Sequence, residues 1–224
     1  MAYPTVSAPY GLKPINLIGG QVFAGATRLL NIASGYATSI FYGDVVKLVS
    51  TGTIEKDTGQ ATATPVGVFL GCSYVNAQGQ TVFAQYFPAN TTAPTGTTIT
   101  AYVADDPDQL FKVVLVSGQT EDGNGLVPTY IGRTIIGTNV ELVQNTGSTV
   151  TGDSKIGVYS AAGATTTASL PLRVIDVVPD TANSSGNFCE LIVKFNTPYI
   201  TLTEGTPNTV AWNGGHQYLN PTGV

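Results

Sequence analysis

From residue 41 onward, short apolar runs alternate with clusters of Gly, Thr, Asn and Asp. Val66, Val68, Leu70, Cys72 and Tyr74 take every second position of one run, and Cys189, Leu191, Val193 and Phe195 do so in another. Successive side chains of an extended chain point to opposite faces, so this period of two marks strands. Strands are predicted over residues 45–49, 66–74, 82–87, 99–104, 111–116, 140–143, 156–159, 170–178, 189–195 and 199–202. Turn residues separate them at the short spacing of sandwiches and barrels, and Asn76-Ala77-Gln78-Gly79 reads as a hairpin loop. Helical periodicity is absent beyond short windows. The best helix start is Asp106-Pro107-Asp108, where Asp can cap and Pro can take the first position; it predicts a turn or two.

Residues 1–35 differ from the rest of the chain. Pro4, Pro9 and Pro14 and the pair Gly19-Gly20 block helix and favour extended chain. Apolar residues there follow no period, which predicts an extended N-terminal arm that rests on another surface. A repeat is visible beyond it. Gly43-Asp44 leads into 45–49, then Thr64-Pro65-Val66, then Gly79-Gln80 and 82–87; Gly152-Asp153 leads into 156–159, then Leu170-Pro171-Leu172, then Gly186-Asn187 and 189–195. The expected organisation is all-β: small β-barrel or sandwich units, two of them related. The arm spans 1–35, the first β unit 36–95, a connecting β segment with a short helical turn 96–140, the second β unit 141–202 and a C-terminal tail 203–224.

Charge narrows the partners. Only 10% of the 224 residues are charged, against about 25% in ordinary soluble domains. Nine Lys+Arg face fourteen Asp+Glu, a net charge of −5. Nucleic-acid binding needs clustered cations to displace counterions, and a polybasic membrane contact needs the same, so neither partner is expected. A surface of Thr, Ser, Asn and Gly is cheaper to desolvate than one of Lys and Glu, which suits a subunit held in an assembly. The first ten residues carry no basic residue and no apolar stretch of the leader type, and no apolar run approaches bilayer length. Cys72 and Cys189 are too few for a disulfide scaffold and are read as reduced core residues, in line with synthesis in a cytoplasm.

Catalytic signatures are wanting. No serine sits in a GxSxG turn, and no phosphate-binding glycine loop occurs. The sole histidine, His216, is read as a surface or interface residue. Asp105, Asp106 and Asp108 could gather oxygens around a cation, though a capped turn accounts for Asp105-Asp106-Pro107-Asp108 more simply. Asp122-Gly123-Asn124-Gly125 fails as a calcium loop because Thr120 and Ile131 fall where carboxylates are required. No catalytic residue, cofactor or metal site is expected.

Several segments resemble the capsid decoration (cement) proteins of tailed bacteriophages: SAPYGLKPINLIGG, FYGDVVKL, TPVGVFLGCSY, AYVADDPDQLFKV, ATTTASLPLRVIDVVPD with FCELIVKFN, and the terminal GGHQYLNPTGV. They run in order along the chain and cover about half of it. GVYSAAGATTTASLP and NTPYITLTEGTPNTVAWNG depart from the pattern, the second leaving the path of the tail open. The resemblance implies a non-enzymatic virion protein on the outer face of the capsid. Its partners would be the major capsid protein and itself, as a homodimer or homotrimer. Tyr3, Pro4, Tyr10, Leu12 and Pro14 are the expected capsid or inter-subunit contacts, so removing residues 2–20 should leave a folded chain that no longer decorates. The rival expectation is a tail- or fibre-associated β module that binds host glycans.

Overall fold

The computed structural model describes residues 6, 8–116, 132–159, 170–182, 188–197, 199–202, 210–213 and 215–220, with backbone alone for 199–202 and 210–213. Fourteen strands and two short 3-10 turns lie among them, and no α-helix. The strands are β1 (Lys13–Leu17), β2 (Arg28–Ile32), β3 (Val45–Leu48), β4 (Thr53–Lys56), β5 (Gly67–Val75), β6 (Thr81–Ala84), β7 (Ile99–Ala104), β8 (Gln109–Val116), β9 (Asn139–Val143), β10 (Gly157–Tyr159), β11 (Leu172–Val177), β12 (Glu190–Phe195), β13 (Tyr199–Leu202) and β14 (Val210–Asn213).

Two six-stranded sheets carry the fold. One runs β3-β4-β2-β7-β5-β6, and a further β3–β5 pairing closes all but β6 into a barrel. The other runs β1-β8-β10-β9-β11-β12, and a β8–β12 pairing closes all but β1. β13 and β14 form a separate antiparallel hairpin. The barrels share one topology. β2, β3, β4, β5 and β7 correspond in order to β8, β9, β10, β11 and β12, and in each barrel the first and third of these pair in parallel while every other junction is antiparallel.

This correspondence corrects the expected repeat. The sequence repeat pairs β3 with β10 and β6 with β12, whereas topology pairs β3 with β9 and β7 with β12; the two agree on β5 with β11. Gly-Asp is a generic turn signal and precedes strands that are not equivalent in the two barrels. The better trace is Gly43 before Val46-Lys47-Leu48-Val49 and Gly137 before Val140-Glu141-Leu142-Val143, with φ of 90° and 84° at the two glycines.

The expected boundaries also move. The first barrel spans 28–104 and the second 109–195, so 96–140 is no connector: its strands close one barrel and open the next. Asp106-Pro107-Asp108 forms a tight turn without helix, its Asp106 Oδ1 accepting from Asp108 N at 2.8 Å. The short helical turn lies instead at Gly132–Ile135. The described part of residues 1–35 is no free arm, since β1 pairs with β8 and β2 belongs to the first barrel.

The core explains why some strands are apolar on both faces. Ile32, Val46, Ile54, Phe69, Cys72, Phe87, Ile99 and Val103 fill the first barrel. Their neighbours Val45, Val68 and Ala104 point the other way and join Phe111, Val140, Leu142, Leu172, Leu191 and Phe195 in the second core. The barrels are thus packed through side chains that would be solvent-facing in an isolated barrel. The alternation read over 66–74 breaks at Gly71, whose φ is 134° and where the β5–β7 register shifts. A bulge there moves Cys72 and Tyr74 onto the inner face, opposite to Val68 and Leu70.

Candidate functional site

Three features lie where an interaction site would be built: the seam between the barrels, a C-terminal strap across it, and an uncharged outer sheet face. The seam begins with the N-terminal segment. Gly11 N donates to Ile156 O at 3.1 Å and Leu12 N to Gly43 O at 2.9 Å, so this stretch touches both barrels. Leu12 is fully buried in the chain's own core, which corrects its assignment as an outward anchor. Pro14 lies half-buried in β1, opposite Phe111. Tyr10 donates its hydroxyl to Glu190, and the Lys13 ammonium lies 4.5 Å from its ring. Burial, then the Glu190 contact, holds the Tyr10 phenol well above its ordinary pKa. Tyr3 and Pro4 lie outside the described residues. Truncation through residue 20 would therefore remove a strand and a core leucine, so it cannot serve as a clean test of decoration.

Asp44 sits at the centre of the seam, fully buried. Its Oδ2 accepts from Phe41 N at 2.9 Å and pairs with Lys56 Nζ at 3.0 Å, while Oδ1 accepts from Ser154 Oγ of the second barrel at 2.6 Å. A cleft of about 530 Å³ opens beside it, lined in part by Phe41, Lys56, Gln144 and Asn145. Gln144 Nε2 donates to the carbonyls of Asp57 and Gly59, tying β9's end to the first barrel.

The strap is residues 215–220. His216 N donates to Asn196 O and Gln217 N to Pro65 O, while the Gln217 side chain both accepts from Leu48 N and donates to Leu48 O. His216 is fully buried, with its ring centroid 6.0 Å from that of Phe195 and 5.2 Å from that of Tyr218, which corrects the expectation of a surface or interface residue. Its Nδ1 accepts from Tyr218 N at 3.3 Å, so the ring is neutral there. Burial pushes its pKa down to about 4, against the opposing pull of Asp105. A histidine held below its ordinary value of ~6.5 contributes stability that is fully present above that value and lost as pH falls toward the folded one. Denaturant midpoints are expected to fall between pH 6.5 and 5, and a His216→Gln variant should lose that slope.

The acidic run does not converge. Asp105 accepts from Arg28 and, at 2.8 Å, from Tyr218 Oη; Asp106 caps its own turn; Asp108 pairs with Lys194 at 2.7 Å. Among the described residues no three metal-ligating side chains cluster. Asp122-Gly123-Asn124-Gly125 lies outside them. Cys72 and Cys189 are free and buried, and burial raises their thiols to about 12 and about 11, which leaves them unreactive.

The outer face is not among the features that alternation brings out. No charged residue occurs between Asp57 and Asp105, the stretch that forms β5, β6 and β7. On its outward side Leu29 lies opposite Tyr102, and Ser73 lies between Thr100 and Phe83. Leu29 is 62% exposed and Phe83 75%. The sequence signal for this face is the charge-free run itself. Comparison with protein-family models, curated proteins and solved structures finds no match to this chain.

Proposed function

We propose that the chain is a structural virion protein that binds the outer surface of a bacteriophage capsid and stabilises the lattice by bridging capsomers, without catalysis. The observation that carries this reading is the uncharged sheet face with Leu29, Tyr102 and Phe83, presented by two barrels locked through a shared core. Such a face loses little on desolvation, and a rigid pair of barrels can span neighbouring subunits without paying for a flexible joint. The segments that resemble decoration proteins support the major capsid protein as the partner and the virion as the location.

Quantitative mass spectrometry of purified particles tests the proposal. A copy number in the hundreds, in simple ratio to the shell subunit, is the expected result. Some ten copies would move the protein to the tail and favour the glycan-binding module, and absence from the particle would overturn both.

A further inference from the structure

We infer that β6 is a homodimerisation edge, at which a second copy of this chain pairs antiparallel about Val82. β6 is the strand left outside the first barrel, and among the described strands it pairs with β5 alone. Which of its backbone groups are free can be read from the ladder. Asn76 N donates to Gln80 O at 2.9 Å, so that pair is hydrogen-bonded. Bonded and non-bonded pairs alternate in an antiparallel ladder. Tyr74–Val82 and Cys72–Ala84 are therefore bonded to each other, while Val75–Thr81 and Ser73–Phe83 are not. Thr81 and Phe83 thus turn N–H and C=O away from β5, toward the open edge.

That pattern is self-complementary. Placing a twofold axis at Val82 sets Thr81 of one copy opposite Phe83 of the other, twice. Both residues offer outward donor and acceptor, so each pair exchanges two hydrogen bonds. Each Phe83 ring then lies beside the partner's Thr81 on the outer face, where it is otherwise 75% exposed.

Charge does not oppose it. Soluble proteins guard open edges with Lys, Glu or Pro. β6 and its neighbours carry no charged residue between Asp57 and Asp105, so nothing on the strand repels its own copy. No charged residue in that run marks the edge for a partner of opposite charge. The twofold pairing also consumes the edge, which limits the assembly to two.

The inference selects the homodimer from the homodimer or homotrimer that the resemblance implies, and it is tested on the purified chain, apart from capsid binding. Sedimentation of the full-length protein over ~1 µM to 1 mM is expected to show reversible growth from 23.2 kDa to twice that mass. Phe83→Lys should weaken association at least about tenfold, with circular dichroism unchanged because the side chain is exposed. Hydrogen exchange supplies a readout independent of mutation. The amides of Thr81 and Phe83 should exchange fast when dilute and become protected at high concentration, while those of Val82 and Ala84 stay protected throughout. A monomer across the range would overturn the inference. So would a trimer, or a dimer indifferent to Phe83→Lys whose Thr81 and Phe83 amides still exchange fast.

Discussion

Asp44→Ala is expected to cost about 3–5 kcal/mol, the range for removing one partner of a buried ion pair, and to shift the denaturant midpoint without changing the slope. The residue is fully buried, and Lys56 keeps only a tenth of its side chain exposed. Alanine would strand that ammonium, orphan Phe41 N, and break the bond to Ser154 Oγ that ties the two barrels. The double variant Asp44→Ala/Lys56→Met separates these effects. Removing the stranded charge should recover part of the loss, because an unpaired buried cation costs more than an absent pair. If the double variant is no more stable than the single one, the hydrogen bonds to Phe41 and Ser154 account for the loss.

Gly11→Ala should cost about 2–4 kcal/mol through two additive causes. The residue adopts φ of +81°, a region that side chains disfavour. Its added Cβ would also fall 2.7 Å from Gly43 O and 2.7 Å from Ser154 Cβ, where two backbones and the second barrel meet. Gly20→Ala is the control. It shares the conformation at φ of +83° but has nothing within 4 Å, so it should lose only the conformational part, about 1 kcal/mol. Equal losses in the two variants would show that the crossing at Gly11 can relax.

Strands with dense apolar runs are the easiest to read from sequence: β5, β7, β8 and β12 fall where expected. β4 escapes such a reading since Thr53–Lys56 places a single core residue, Ile54, between polar ends that look like a turn. β1 and β2 are hidden by the Pro and Gly nearby, which suggest an arm. Pro14 is tolerated because β1 lies outside the closed ring of its barrel. The seam is not legible at all. Asp44 and Ser154 lie 110 residues apart, and nothing local marks a buried carboxylate or the crossing at Gly11. His216 looks exposed among Gly214, Gly215 and Tyr218, yet its burial depends on Phe195 in another strand.

The pairing of β1 with β8 has a consequence for synthesis. Lys13–Leu17 emerges from the ribosome well before its partner Gln109–Val116, which arrives only after the whole first barrel has been made. The first barrel can close around its own core in the meantime, whereas the leading segment has to wait, with Leu12 exposed. Its docking is then a late step that fastens Lys13–Leu17 to Gln109–Val116 once the first barrel is complete. A ribosome-stalled chain ending before residue 109 should accordingly be protease-resistant over 28–104 and cleavable ahead of it.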